Sequence, residues 1–516
     1  MNVKNDLKSG FMRRPAPSLV LSAWILFSSV PSHSETEDSP YEDLSYAQEV
    51  IRLLSSPDYN GRGYLEEGHI KAANYIAGEF VTKDLQKFKG DFFQKFSMKT
   101  NTFPGKVSLK INNIELLPFW DFVVSPCSPS SQKTYDQFYQ APWFKDAQKV
   151  MEDMQKMMEK DGKFQKEVIP FWLEVLKDQV KFDKATRKAA KGKVMIIDRS
   201  MINNDEQYVA FSESSFAKES WRSADYNIPT VILEISHYPQ PYWSLGDNAT
   251  EPCLIPKFVV WKSAFEQFET ITSVSFDIES EFKGKDEEGK GKDIESRNVI
   301  GFIRGTQDPD SYIVLAAHYD HLGRMGSEIY FPGANDNASG VALLLYLASY
   351  FHDNPPKKSI AFIAFGGEEL ALKGSKHFVK NPFFPLKKIE FLLNFDIVGT
   401  GERGIGVVNA LAKTKDGLVE TEDFKQLKKV NKYEKGKKYF ESILPRDAGR
   451  KDLGDHYPFA QKRKGIKHFY IYTRGGFSAY HDPVDKLETL SLFGFLNLFN
   501  LVKDFIQAKM DQPSRN

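Results

Sequence analysis

The sequence predicts an α/β protein, built on a mostly parallel mixed sheet sandwiched by helices and carrying an inserted β-rich second domain. Three observations lead there. After Asn298 apolar strands alternate with helical runs: NVIGFI, YIVLAAHYD, ALLLYLASYF, SIAFIAFGG, IEFLLNFDIVG, KHFYIYT and LSLFGFLNLFNLVKDFI. Strands that are apolar throughout belong to a parallel sheet covered on both faces. Between 103 and 276 the character changes to strand-like stretches, VSLKI, KVMIID and TVILEI, separated by polar loops. The chain, at 516 residues, is also too long for one core of about 100–200 residues.

The elements follow in order. Residues 1–34 read as a secretory leader: Lys4, Lys8, Arg13 and Arg14, then an apolar run from Leu19 to Val30, then PSHS with cleavage expected after Ser34. That run reaches only about 18 Å at helical rise, short of a bilayer core of about 30 Å, so an exported protein without a stable membrane anchor is expected. Residues 40–102 supply a helical opening to the main domain. Ala47, Val50, Ile51, Leu53 and Leu54 recur at helical spacing, and HIKAANYIAGEF follows the turn SSPDYNGRG. Within the 103–276 insertion, Met151, Met154 and Met158 form an amphipathic core stripe. The charged run at 281–296 reads either as a linker or as an exposed hairpin turn. Residues 277–510 form the main domain.

Composition narrows the function. Sixty-nine Lys+Arg balance sixty-nine Asp+Glu, which removes the basic footprint of a dedicated nucleic-acid binder. Two cysteines, Cys127 and Cys253, build neither a disulfide framework nor a Cys-rich zinc site, although they could pair after export. Of ten histidines, seven lie after residue 300: His318, His321, His352, His377, His456, His468 and His481. The chemistry is therefore expected there.

Polar residues at the ends of buried strands are where α/β folds place ligands. AAHYDH supplies His318 and Asp320, GANDNASG supplies Asp336, FGGEEL supplies Glu368 and Glu369, NFDIVG supplies Asp396 and SAYHDPVD supplies His481. Singly each has an ordinary structural reading, such as a hydrogen-bonded histidine or a helix-capping glutamate. Together they would leave several buried negative charges uncompensated unless a cation joined them. Imidazole with carboxylate suits divalent zinc, and these donors suffice for two metals sharing a bridging carboxylate.

HYDHLG, GANDNASGV, GGEELALKGS, NFDIVG, GDHYPF and YHDPVDKLETL, in that order, resemble the motifs of the M28-type co-catalytic dizinc aminopeptidases, a zinc exopeptidase-like fold. The resemblance covers about 290–510 strongly and reaches the opening helices. It implies two Zn2+ per chain: Asp336 bridges them, His318 and Asp396 complete one site, and Glu369 with His481 complete the other. It further implies Glu368 as general base, Asp320 as the carboxylate orienting His318, and Tyr480 as a candidate oxyanion donor. Asp455 and His456, in a GDHYPF segment where the family has SDHxPF, would wall the substrate pocket. The substrate implied is a peptide or protein N-terminus. The insertion resembles a protease-associated domain through KGKVMIIDRS and YNIPTVILEI. His321 reads as a pocket residue, and His352, His377 and His468 read as structural.

Competing readings remain. GTGERG at 399–404 satisfies a dinucleotide-binding GxGxxG after a strand, but the strand-like IGVVNA follows where a helix is required. No GxSxG, HExxH or P-loop spacing is present. Glutaminyl cyclase shares the fold, and a carboxypeptidase could use Arg446, Arg450 or Arg474 to hold a substrate carboxylate. Oligomeric state is not legible.

Overall fold

The computed structural model describes residues 43–140, 192–198, 231–236, 243–253, 255–285, 291–415, 417–433, 436–447, 454–461, 465–477 and 479–513. The stretch 1–34 expected to be a leader, the methionines at 151–158 and Arg450 lie outside them.

A nine-stranded mixed sheet organises the main domain. Its centre is four parallel strands in the order Lys358–Phe365, Asp308–His318, Ile389–Phe395 and His468–Thr473. These are the runs that are apolar on both faces, and the sheet is covered accordingly. On one face Val314, Ala316, Ile363, Phe365 and Leu392 join Phe378, Phe384 and Phe459 in a common core. On the other, Phe80 from the helix Gly68–Thr82 meets Phe362, and Phe505 from the helix Phe495–Met510 meets Phe391. The helix Ser339–Asp353 packs on this face as well and is buried along most of its length, which is why its sequence is apolar all round. Antiparallel partners flank the parallel centre: Ile294–Ile303 beside Lys358–Phe365, and Ile405–Val408 beside His468–Thr473.

GTGERG resolves here. Gly404 is followed directly by the strand Ile405–Val408, so there is no helix N-terminus to receive a pyrophosphate. The charged run at 281–296 joins two sheets and is no hairpin. Val274–Ile278 before it pairs with Val107–Ile111 and Ser131–Tyr135, whereas Ile294–Ile303 after it pairs with Phe93–Met98 in the main sheet.

Between these points the chain leaves through Thr100–Thr102 and returns through Glu281–Lys283, which pair antiparallel. It builds a five-stranded and a four-stranded sheet. Leu109, Phe122, Val194, Leu233, Phe258 and Phe276 from these sheets share one core with Leu322, Phe331 and Leu370 of the main domain. Cys127 and Cys253 are joined in a disulfide. Gly246 donates its N–H to the carbonyl of Glu369 at 2.8 Å, so the insertion reaches the loop that carries the paired glutamates.

One ion-pair cluster away from that loop predicts a pH effect. Asp423, in the first turn of the helix Glu422–Val430, faces Lys467 at 3.0 Å and the Nζ of Lys509, whose side chain is buried. Burial would raise the Asp423 carboxyl, but the two lysines outweigh it and hold it below its ordinary value. A carboxylate with a depressed folded pKa stabilises above its unfolded pKa of about 3.9 and loses that contribution as pH falls through the folded value. Asp423→Asn is therefore expected to cost about 1–2 kcal/mol at pH 7, allowing for the solvent that reaches Lys467. In urea titrations the difference from wild type should shrink as pH falls below the unfolded pKa of about 3.9 and vanish once the folded carboxyl is protonated. A difference that persists there would refute the ion-pair origin.

Candidate metal centre

The four central strands end on one edge of the sheet, and there the residue types switch from apolar to ionisable. His318 closes one strand, Glu368 and Glu369 follow Lys358–Phe365, and Asp396 follows Ile389–Phe395. Asp336 comes from the loop leading into the helix Ser339–Asp353, and the Asp336–Asn337 peptide is cis. His481 arrives from beyond the last parallel strand. His318, Asp336, Glu369, Asp396 and His481 are all buried.

They form two groups that share Asp336. His318 Nε2 lies 3.3 Å from Asp336 Oδ1 and 3.3 Å from Asp396 Oδ1. His481 Nε2 lies 3.3 Å from Asp336 Oδ2 and 3.4 Å from Glu369 Oε1. Donors held at about 2.0–2.2 Å from one tetrahedral ion are themselves separated by about 3.3–3.6 Å, so both groups match the edge lengths of such a site. His321, expected from the sequence only as a pocket residue, also reaches this cluster. His321 is fully buried, with Nδ1 2.9 Å from Glu369 Oε1 and 4.0 Å from Asp336 Oδ2. Among the described residues, His318, Asp336 and Asp396 form one set of donors within 4.8 Å of one another, and His321, Asp336 and Glu369 form another.

The electrostatics follow from crowding. Burial would raise Asp336, but hydrogen bonds from His318 and His481 hold it well below its ordinary value. Glu369, likewise opposed by burial, is held at about 2 by the charge of His481 and hydrogen bonds from His321 and His481. His481 is pushed up to about 10 against burial, chiefly by Glu369. Glu368 behaves oppositely. Burial, reinforced by Glu369, Asp455 and Asp396 and only partly offset by His318, lifts it well above the ordinary carboxylate range.

Arg62, from the NGRG turn, is the guanidinium buried beside this cluster. Its donors all go to carbonyls: Tyr319 at 2.8 Å, Leu54 at 2.9 Å, Pro332 at 2.6 Å, Gly333 at 2.7 Å and Asp336 at 3.1 Å. It ties three loops together without contacting a carboxylate. Among the described residues, the partners of Asp336, Glu369 and Asp396 that can carry positive charge are histidines, and His481 Nδ1 has no hydrogen-bond partner. Divalent cations fit such a donor set in charge, donor type and spacing.

Supporting contacts orient the donors. His318 Nδ1 is 3.1 Å from the backbone oxygen of Asp320 and 4.0 Å from its carboxylate. The carbonyl, rather than the expected carboxylate, is within hydrogen-bond range of the imidazole. The Asp320 carboxylate instead accepts the backbone N–H groups of Glu368 and Glu369, at 3.0 and 3.2 Å, and the Tyr64 hydroxyl at 2.7 Å. It anchors the loop of the paired glutamates. Tyr470 donates to Asp396 Oδ2 at 3.2 Å, and Asp485 accepts the N–H groups of Asn335 and Asp336 at 2.8 and 3.1 Å. Tyr64, Arg62, Tyr470 and Asp485 were not singled out from sequence. Asp485 ends the quoted YHDPVD, and Arg62 and Tyr64 stand in the noted turn, but nothing in the one-dimensional pattern says where they point.

Tyr480 is half exposed, its ring stacked on that of His481 at 3.9 Å. Asp455 and His456 are buried, and the His456 ring lies 5.2 Å from His468 and 5.0 Å from Tyr470, the tyrosine that holds Asp396. Burial lifts Asp455 to about 7. Of the expected structural histidines, His377 stacks on Phe96, and His352 lies on a helix with its side chain partly exposed. Arg446 ends the edge strand Ile443–Arg446, and Arg474 directly follows His468–Thr473.

Comparison with known proteins shows what these residues are similar to. A "Probable zinc metalloprotease" of Pyricularia oryzae is 40% identical over 115 residues, which is 22% of this chain and 23% of that protein. Aminopeptidase YwaD of Bacillus subtilis is 41% identical over 108 residues, 20% of this chain and 22% of that one. These matches span less than a quarter of either relative. The crystal structure of BSAP, a zinc aminopeptidase from Bacillus subtilis, superposes with a TM-score of 0.60 at 22% identity, over 92% of this chain and 96% of that one, and shares the fold. The model of peptidase family M28 matches residues 298–506, the stretch holding every donor from His318 to His481. That segment is similar to peptidase family M28.

Proposed function

We propose that this chain is an exported zinc metallo-aminopeptidase that removes residues from peptide or protein N-termini. The observation that carries the reading is the sharing of Asp336 between two imidazole–carboxylate groups, one oxygen to each. His318, Asp336 and Asp396 would hold one Zn2+, and Asp336, Glu369 and His481 the other. Zinc in such a donor set supplies Lewis acidity, which acidifies water and polarises a peptide carbonyl.

The side chains provide the remainder. Glu368 adjoins the ligand Glu369 and carries a raised pKa, so it is suited to take a proton from water and deliver it to the leaving amine. Asp320 fixes the backbone of that loop, which keeps Glu368 in register with the donors. Tyr480, stacked beside His481, would hydrogen-bond a developing oxyanion, and Asp455 and His456 would wall the substrate pocket. A free α-ammonium group finds carboxylates at hand, which favours an unblocked N-terminus. Export is supported by the leader and by the Cys127–Cys253 disulfide, a bond suited to oxidising compartments. No helix among the described residues is long and apolar enough to cross a membrane. The two smaller sheets would be a protease-associated-like module shaping access to the cleft.

A panel of aminoacyl anilides, N-blocked anilides and peptides with acidic C-termini, assayed with metal content measured alongside, tests the assignment. Free-amine substrates are expected to be cleaved, blocked ones at most about a hundredth as fast, a loss of about 2.7 kcal/mol in transition-state stabilisation. Equal rates on blocked substrates, or preference for the acidic C-terminal peptides, would refute the aminopeptidase reading.

A further inference from the structure

We infer that His321 is a positioning residue of the metal centre, holding the Glu369 carboxylate so that the second ion of the pair is retained. The inference rests on the dizinc reading above and deepens it. His481 Nε2 is nearly equidistant from Asp336 Oδ2 and Glu369 Oε1, at 3.3 and 3.4 Å, as a donor sharing an ion with both would be. His321 Nδ1 is not. It lies 2.9 Å from Glu369 Oε1 but 4.0 Å from Asp336 Oδ2, a hydrogen bond to one carboxylate rather than a place in the set.

The imidazole is locked where it can do this. It is 0% exposed, and its ring stands edge-on to His481 with centroids 5.8 Å apart. Gly333, at φ 59°, lies so close that an added Cβ would stand 2.5 Å from His321 Cδ2 and 2.5 Å from Arg62 Nη2. A glycine at this turn lets the ligand loop close over the histidine. Each metal-binding carboxylate outside the bridge then has one supporting donor: Tyr470 for Asp396 and His321 for Glu369. Such outer contacts fix the orientation of a ligating carboxylate, and their loss lowers metal affinity by about 10–100-fold.

The test is zinc titration of the full chain against a chromophoric chelator, with folding checked by circular dichroism. Wild type should bind two equivalents tightly. His321→Ala should keep one of them and bind the other about 10–100-fold more weakly. His321→Asn, whose side-chain amide can stand in for Nδ1–H as a donor but is a poor zinc ligand, should recover most of the loss. If the alanine variant does not fold, His321→Gln takes its place, because its amide donor stands one bond further out and should not rescue. Unchanged affinity in His321→Ala, or in His321→Gln where that variant replaces it, overturns the inference. So does equal weakening in His321→Asn and the non-rescuing variant, which would make His321 a direct ligand. A wild-type chain that fails to take two equivalents overturns the dizinc reading itself and this inference with it.

Discussion

Glu368→Gln is expected to lower turnover by about 10²–10⁴-fold while leaving two zinc equivalents bound. The substitution is nearly isosteric and removes the proton-accepting oxygen. The backbone N–H of residue 368 still reaches Asp320, so the loop that carries Glu369 keeps its anchor. Burial, reinforced by the charges of Glu369, Asp455 and Asp396, raises the Glu368 carboxyl. The loss should fall on kcat more than on KM, since a general base acts in the transition state. A variant that retains more than about a tenth of wild-type turnover would sink the assignment, because about 1.4 kcal/mol is too small for loss of the proton carrier.

Asp336→Asn should have the broadest effect on metal content. One carboxylate serves both groups, with Oδ1 toward His318 and Oδ2 toward His481, so neutralising it weakens both positions at once. Asp396→Asn removes charge from one group only. The expected result is a loss of at least about 100-fold in affinity for both equivalents in Asp336→Asn, against one equivalent in Asp396→Asn, since an uncompensated change at a buried charge costs about 3–5 kcal/mol. Zinc stoichiometry by atomic emission after exhaustive dialysis reads the difference directly. If Asp336→Asn retained one tight equivalent, the carboxylate would not be shared, and the paired reading of the site would fail.

Much of the site was visible because α/β sheets place chemistry at strand ends. His318, Glu368, Glu369 and Asp396 each follow a continuous apolar run, and a parallel sheet brings such ends to a single edge whatever the loops between them do. The helices on either face were legible for a related reason. Their apolar positions recur at helical spacing, or fill the whole helix where it is covered on all sides, as at 339–353.

What stayed hidden depended on atoms rather than on residue types. Asp320 was rightly noticed beside a histidine, yet its carboxylate turns away from His318 and toward the Glu368 and Glu369 amides. The destination of the 281–296 crossover was equally illegible, because a charged run says only that a segment is wetted and not which sheet each end joins. Tyr64 and Arg62 come from a turn more than 250 positions before the groups they hold.

Sequence by itself determined the fold class, the chemical vocabulary of the site and the strand ends that bear it, since these follow from local hydrophobic pattern and residue type. Only the tertiary structure decided which oxygen of Asp336 faces which histidine, that His321 lies against Glu369, and that Arg62 binds three loops while leaving the carboxylates to other partners. Those choices depend on distances of a few tenths of an ångström between segments far apart in the chain, and only packing sets them.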